Sequence, residues 1–135
     1  MSADERSRGL LDTSVFIASE SGRALDVESL PDQSAVCVVT LAELEAGVLA
    51  ASDVDTRARR LRTLELARSM YCFGIGEAAA SNWARMRVRL VEAGVRVNVN
   101  DLWIAAVALA NDLPVVTQDA DFDPLGPVGV SVIRV

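Results

Sequence analysis

Four acidic residues lie where strands are predicted to end or helices to begin. Asp12 and Asp119 each follow a short apolar run that is typical of a buried strand, and Glu43 and Asp101 lie in the first turns of two predicted helices. Because the carboxyl ends of parallel strands meet at one edge of a sheet, we expect all four side chains to face that edge. Oxygen donors without histidine or cysteine favour Mg²⁺ or Mn²⁺ over zinc. The pattern therefore predicts an acidic site for a divalent cation.

Each of these residues also has a structural explanation. Thr40-Leu-Ala-Glu43 matches a capping box, in which the glutamate accepts a hydrogen bond from the backbone at a helix start. Asp101 suits a helix N-terminus because of the macrodipole, and Asp12 and Asp119 could each end a strand in an Asx turn. Four such residues at one edge favour a joint role, since neighbouring carboxylates raise one another's pKa unless a cation neutralises them.

The composition excludes several other chemistries. The 135 residues include 13 arginines but neither lysine nor histidine, and the formal net charge is −6. Without histidine, a Ser-His-Asp triad or a histidine-ligated metal is impossible. Without lysine, Schiff-base chemistry and the P-loop are excluded. Cys37 and Cys72 form no CxxC pair, so we expect buried free thiols and a reducing compartment.

The elements that must position the carboxylates alternate along the chain, and the length suits one domain. Strands are predicted at residues 9–12, 36–39, 114–117 and 130–135. Helices are predicted at residues 40–51, 53–70, 77–93 and 100–111. Strands that alternate with helices indicate an α/β fold with a central parallel sheet.

The helical periodicity also predicts which side chains face the core. The prediction for the first two helices includes Leu41, Leu44, Val48, Leu49, Val54, Ala58, Leu61 and Leu64. Trp83 and Met86 fall on a core stripe of the next helix, and Gly94 follows as its C′ residue. Trp103 is expected to pack against the sheet or at a subunit interface.

The N-terminus begins with the charged segment MSADERSRG, which has no apolar core of a signal peptide. Residues 1–8 are expected to be flexible. The longest uncharged apolar stretch, residues 102–110, is about half of what a membrane span needs. We therefore expect a cytoplasmic protein that does not enter a membrane.

Four sequence motifs in order resemble a known family. They are Leu10-Leu-Asp12-Thr-Ser14-Val, Thr40-Leu-Ala-Glu43-Leu, Asn100-Asp101-Leu-Trp-Ile-Ala-Ala106 and Val116-Thr-Gln-Asp119-Ala-Asp121-Phe. Together they resemble the PIN domain of small bacterial VapC-like toxins from type II toxin–antitoxin pairs. The resemblance runs from about Gly9 to the C-terminus. It implies one PIN-like domain over residues 1–135, with three layers and a central parallel sheet of about four to five strands flanked by helices.

The resemblance also implies an activity, a Mg²⁺-dependent endoribonuclease. Asp12 and Asp101 would be the principal metal ligands, and Glu43 and Asp119 would bind a second ion or orient the attacking water. Asp121 is close enough in the motif to share the role of Asp119.

The same resemblance assigns supporting roles and partners. Ser14 would be the polar residue beside the metal, and Thr117 a hydroxyl that supports the site. Gln118 departs from the basic or apolar residue that relatives often carry. The family usually forms homodimers and is inhibited by a cognate antitoxin.

Eight arginines are concentrated between Arg57 and Arg89 on two predicted helices. Arg57, Arg60, Arg85 and Arg89 are the candidates for RNA or partner contacts, because arginine binds phosphate through two parallel hydrogen bonds. A solvated helical surface or a protein interface explains the same pattern.

Two further functions stay open from the residues. One is a catalytically inert PIN-like module that binds RNA or protein, and the other, more distant, is a metal-dependent DNA nuclease or phosphatase. The presence of all four carboxylates argues for catalysis over an inert module.

Overall fold

The computed structural model describes residues 7–135, which form one five-stranded, all-parallel sheet. The strands are β1 (Arg8–Leu11), β2 (Gln33–Cys37), β3 (Tyr71–Phe73), β4 (Val115–Thr117) and β5 (Val132–Arg134). Their order across the sheet is β3-β2-β1-β4-β5. The predicted α/β class and parallel sheet are confirmed, and β5 is an edge strand as expected.

Five α-helices connect the strands. They are α1 (Thr13–Ser21), α2 (Val38–Ala50), α3 (Val54–Arg68), α4 (Glu77–Glu92) and α5 (Val99–Ala110). Two short 3-10 helices cover Val27–Ser29 and Asp123–Val128. Gly94 follows α4 in the left-handed conformation at φ 69°, as a C′ glycine does.

The sheet divides the core into two layers because successive side chains of a strand point to opposite faces. Leu10 and Val115 pack in a cluster with α4 and α5, whereas Leu11 and Val116 pack in a second cluster with α1, α2 and α3. The α5 helix supplies a continuous buried run from Ile104 to Ala108. This run explains why α5 is apolar almost all round, since it is covered by both the sheet and α4.

The second predicted strand ends earlier than expected, and the capping box is wrong. Val38 and Val39 belong to α2, whose N-cap is Cys37 in an extended conformation without a side-chain cap bond. Thr40 therefore lies inside the helix and is fully buried. Because Thr40 is not the N-cap, Glu43 is not at the third helical position that a capping box requires.

The inward face predicted for the α2–α3 hairpin is partly wrong. Val54, Ala58 and Leu61 are exposed on α3, and Leu49 is exposed on α2. The reason is that α3 meets the core through Leu64, Ala67 and its C-terminal half, so the first two turns of its apolar stripe have nothing to cover them.

The first residues that the structure describes already contact the sheet. The flexibility expected for residues 1–6 concerns residues outside the described range. Ser7 accepts a hydrogen bond from the Gln33 N–H at 3.0 Å, and Arg8 begins β1. Cys37 is buried and Cys72 partly buried, and both are free thiols.

Within residues 7–135, none of the helices combines the length and apolarity that crossing a membrane requires.

Candidate active site

The site lies at the carboxyl ends of β1 and β4, at the centre of the sheet. From β1 the chain adds β2 and then β3 on one side of the sheet. It then crosses back and adds β4 on the other side of β1. Such a reversal opens a crevice beyond the strand ends. Asp12 directly follows β1, its N–H donates to the carbonyl of Val116 at 2.8 Å, and its side chain is only 4% exposed.

A chain of hydroxyl groups holds Asp12. Thr117 Oγ1 donates to Asp12 Oδ2 at 3.1 Å, and Ser14 Oγ lies 3.1 Å from Thr117 Oγ1. The Gln118 N–H donates to Ser14 Oγ at 3.0 Å. Either hydroxyl can be the donor in the contact between Ser14 and Thr117. Asp12 also caps α1, where its Oδ2 accepts from the Ser14 N–H at 3.4 Å. The carboxylate thus has both a structural role and a place in the site.

Asp119 lies two residues beyond the end of β4. Its Oδ1 accepts from the Asp121 N–H at 3.1 Å, which is the Asx turn expected from the sequence. The same oxygen lies 3.4 Å from Thr117 Oγ1. Thr117, which is fully buried, therefore lies between the carboxylates of Asp12 and Asp119.

Glu43 approaches the site from α2. Its Oε1 accepts from Thr13 Oγ1 at 2.8 Å, and Thr13 Oγ1 is 3.1 Å from Thr40 Oγ1. Thr13 is the residue after Asp12, so the start of α1 contacts two of the four carboxylates. Thr40 has this packing role in place of the predicted capping role.

Asp101 faces the cluster from the first turn of α5. Asn98 is the N-cap there, and its side chain accepts from the N–H groups of Asn100 and Asp101 at 2.8 and 3.3 Å. The pKa of Asp101 is raised to about 7, chiefly by burial and then by the negative charges of Asp12, Asp121, Glu43 and Asp119, in that order. Burial also raises the pKa of Asp12, and hydrogen bonds from Ser14 and Thr117 oppose that increase. The charges of Asp12, Glu43 and Asp119 thus all act on Asp101, which places the four predicted carboxylates in one cluster.

In each of the three predicted site carboxylates outside α5, one oxygen accepts a hydrogen bond and the other has no hydrogen-bond partner within residues 7–135. Asp12 Oδ2, Glu43 Oε1 and Asp119 Oδ1 accept the hydrogen bonds described above. No three acidic or thiol side chains of the described range converge closely enough to enclose an ion. Mg²⁺ nevertheless fits this donor set, because it keeps several waters and needs only one or two protein carboxylates. The unmatched negative field at Asp101 is what a bound cation would neutralise.

The four candidate arginines differ in their contacts. Arg57 donates to the Ala51 carbonyl and Arg60 to the Gly47 carbonyl, each at 2.8 Å, so both guanidinium groups satisfy the C-terminal end of α2. Arg85 donates to Asn82 Oδ1 at 2.7 Å. Arg89 is exposed, with no hydrogen-bond or ion-pair partner in the described part of the chain.

Sequence reasoning missed four contributors to the site: Thr13, Thr40, Asn98 and the backbone of Gln118. Thr13 and Asn98 had a detectable signal, since each lies beside a predicted site residue and is a type that caps helices. The side chain of Gln118 donates to the carbonyl of Val135, and to that of Ala24 at 3.4 Å. The Gln118 side chain, which departs from the family pattern, thus bonds to backbone carbonyls. These bonds link the end of the last strand to the segment after α1.

Comparisons with known proteins identify the family of the chain. The family model described as PIN domain matches residues 9–126. Ribonuclease VapC5 of Mycobacterium tuberculosis is 57% identical over 128 residues, covering 94% of this chain and 95% of the relative. Ribonuclease VapC4 of the same organism is 43% identical over 126 residues, with 93% and 97% coverage.

Solved structures give the same result. The crystal structure of VapBC-5 from Mycobacterium tuberculosis, a member of the VapBC family of toxin–antitoxin systems, matches with a TM-score of 0.89 and 52% sequence identity. The match covers 96% of this chain and 99% of that chain. The family model and these relatives show that the chain belongs to the PIN domain family.

Proposed function

We propose that this protein is a metal-dependent endoribonuclease and the toxin of a VapBC-type toxin–antitoxin pair. The observation that carries the proposal is the placement of acidic residues beyond the two central strands, where Asp12 follows β1 and Asp119 lies beyond β4, with Glu43 on α2 and Asp101 in the first turn of α5. The raised pKa of Asp101, to which the charges of these carboxylates contribute, agrees with that placement. A fold without a ligand to bind there gains nothing from holding like charges together. The relatives named ribonuclease VapC support the same activity.

The contacts of the side chains suggest a separate role for each of them under this proposal. Asp12 and Asp101 would hold Mg²⁺ or Mn²⁺, and Glu43 and Asp119 would complete the acidic set, with Asp121 beside Asp119. When bound, the cation supplies charge neutralisation at the phosphoryl oxygens and a more acidic water. Thr117 and Ser14 fix the Asp12 carboxylate, and Thr13 fixes that of Glu43, so that each directs its free oxygen without reorganising.

The direct test is cleavage of total cellular RNA by the purified chain, with Mg²⁺ or with EDTA. We expect cleavage with Mg²⁺ only, and none above background by Asp101→Asn. Asp112→Asn is the matched control, because Asp112 is an exposed carboxylate at φ 52°, a conformation that asparagine tolerates. Cleavage that persists in EDTA, or that is equal in wild type and Asp101→Asn, contradicts the proposal. RNA binding without turnover would favour the inert module, and cleavage of DNA or a phosphomonoester the more distant alternative.

The proposed partners are the RNA substrate, a cognate antitoxin and a second copy of the chain. The likeness to VapBC-5, a member of a family of toxin–antitoxin systems, supports the antitoxin. A homodimer predicts a mass of about 29 kDa by light scattering for the isolated chain, twice the 14.4 kDa of one chain. A mass of one chain at all concentrations would contradict the dimer.

A further inference from the structure

A pocket of about 350 Å³ lies between the C-terminal half of α4 and the first turn of α5. Its walls are mostly apolar and come from both helices and the segment that joins them: Leu90, Val95, Val97, Val99 and Leu102. Val99 and Leu102 lie on either side of Asp101 in the sequence. The pocket therefore adjoins the helical turn that presents Asp101 to the acidic cluster, and it is separate from the cluster itself.

The polar groups of this pocket are cationic. Arg87 and Arg96 line it, both are exposed, and neither has a hydrogen-bond or ion-pair partner within residues 7–135. The pocket has no acidic side chain in its lining. This contrasts with Arg57 and Arg60, whose guanidinium groups are committed to carbonyls of α2. Two free guanidinium groups beside an apolar hollow favour a ligand with an anionic group and a flat apolar part.

Trp83 closes one side of the pocket. Its ring stacks on Trp103, with centroids 5.0 Å apart and an interplanar angle of 17°. Its indole N–H is buried without an acceptor, the single buried side-chain polar atom in this condition in the described range. The part of Trp83 that lines the pocket therefore contributes apolar ring surface, and not a hydrogen-bond donor.

We propose that this pocket binds one nucleotide of the RNA strand, beside the position where the strand is cleaved. The base enters between the apolar walls beside the Trp83 side chain, and the adjacent phosphate binds Arg87 and Arg96. The volume holds one base and is too small for a helix of a protein partner. The proposal rests on the proposed ribonuclease function, and it assigns these residues to strand positioning.

Binding is measured in EDTA, where the cleavage reaction is absent. The probes are a labelled mixed-sequence oligoribonucleotide and an abasic oligomer of the same length, followed by fluorescence anisotropy. We expect the intact RNA to bind about five- to tenfold more tightly than the abasic oligomer, the size expected for one accommodated base. Quenching of tryptophan emission gives a second readout, because Trp83 and Trp103 are the two tryptophans of the chain.

Two kinds of variant separate base and phosphate contacts. Val99→Phe partly fills the pocket and should reduce the advantage of intact over abasic RNA to about onefold. Val88→Phe is its control, because Val88 is similarly exposed on α4 but does not line the pocket. Arg87→Ala and Arg96→Ala should each lower the slope of log affinity against log salt by about 0.7. Arg62→Ala, an exposed arginine of α3, should leave that slope unchanged.

The proposal is overturned if Val99→Phe keeps the preference for intact RNA, or if the salt slope is the same in all arginine variants. Competition by a poly-glutamate peptide that depends on Arg87 and Arg96, without a base preference, would assign the pocket to an acidic protein segment instead. Cleavage by wild type with Mg²⁺ is measured in parallel. Normal cleavage with no base preference overturns the pocket alone, whereas base-dependent binding without cleavage overturns the ribonuclease and leaves an RNA-binding protein.

Discussion

Hydroxyl groups organise the carboxylates of the site. Thr117 holds Asp12 and approaches Asp119, while Thr13 holds Glu43. A hydroxyl donor orients a carboxylate without adding the positive charge that would compete with a cation. Because the chain contains neither lysine nor histidine, these residue types cannot form ion pairs with the acidic site.

Replacing Thr117 tests this role directly. Thr117→Val keeps the shape and strand preference of the side chain but removes the proton given to Asp12. We expect cleavage, or the affinity for Mg²⁺, to fall about 10- to 100-fold, as is typical when a group that orients a metal ligand is lost. The measurement is the initial rate of RNA cleavage as a function of Mg²⁺ concentration. Thr117→Ser restores the hydroxyl and should recover most of the loss, and equal rates for the Val and Ser variants would contradict the role.

The raised pKa of Asp101 predicts a pH-dependent stability of the metal-free protein. Its folded pKa of about 7 exceeds the unfolded value of about 3.9. Between these values the folded state binds more protons, so the free energy of unfolding decreases as pH rises and the full penalty is present above pH 7. The shift alone corresponds to about 4 kcal/mol. Partial exposure of the carboxylate reduces this to about 1–2 kcal/mol.

Asp101→Asn should therefore be more stable than wild type at pH 8 in EDTA and equal to it near pH 4, as measured by urea unfolding. Asp112→Asn serves as the control and should follow wild type at both pH values. If Asp101→Asn is destabilised at pH 8, the carboxylates do not repel one another as described.

Among the helices and strands, segments with a clear helical period or a run of β-branched residues were predictable from the sequence, and segments without either were not. The strands β1, β4 and β5 and the helices α3, α4 and α5 lie within a few residues of their predicted bounds. Helix α1 was missed because Val15-Phe-Ile17 is apolar on consecutive residues and shows no helical period. Strand β3 has three residues, as β4 and β5 do, but it lacks the β-branched residues that mark those two strands. Val38 and Val39 were predicted as strand because β-branched residues favour strands. They lie instead in the first turn of α2, the helix that carries Glu43.

The four acidic positions of the candidate site come from sequence motifs. Asp12, Asp101 and Asp119 lie within two or three residues of an element end, whereas Glu43 lies in the second turn of α2. The residues that orient them could not be located in this way, since a contact such as Thr13 with Glu43 depends on how α1 and α2 pack, and no local pattern encodes it. The same holds for the arginines. Their sequence density was visible, but only packing distinguishes Arg60, which caps α2, from Arg87, which lines a pocket.

Two arginines of α3 cap the C-terminal end of α2, and removing them should change the free energy of unfolding. Arg57→Ala with Arg60→Ala leaves two carbonyls at the end of α2 without their donors and should lower the free energy of unfolding by about 1–3 kcal/mol. Urea unfolding measures this change. Arg62→Ala on the same helix should change stability by less than about 0.5 kcal/mol. An unchanged stability together with weaker RNA binding would instead support the RNA contact expected from the sequence for Arg57 and Arg60.

At the scale of the whole molecule, the net charge and the exposed apolar side chains each bear on a partner. The four predicted site carboxylates account for four of the six surplus negative charges, so the net charge does not exclude RNA. The α2–α3 hairpin meanwhile exposes large apolar side chains that the core does not use: Leu49, Val54, Leu61 and Leu66. Grouped exposed apolar residues of this size are typical of protein interfaces.

This hairpin surface is the predicted contact for the antitoxin. Leu49 and Val54 are 77% and 76% exposed, so Leu49→Ser with Val54→Ser should leave the thermal unfolding temperature unchanged. We expect the double variant to retain markedly less antitoxin than wild type when the two proteins are expressed together and purified through the antitoxin. Val88→Ser, an exposed position of α4, is the control. Undiminished recovery of the double variant would place the antitoxin elsewhere.

The position of β1 at the centre of the sheet has a consequence for the timing of synthesis. Asp12 is made early, but Thr117, which holds it, follows 105 residues later, and Asp101 is also made late. A nascent chain can pair β1 with β2 and β3, yet it lacks half of its acidic set until the final strands leave the ribosome. Under the proposed function, a ribosome that stalls or releases the chain early produces no nuclease, so translation itself delays the toxic activity until the polypeptide is nearly finished.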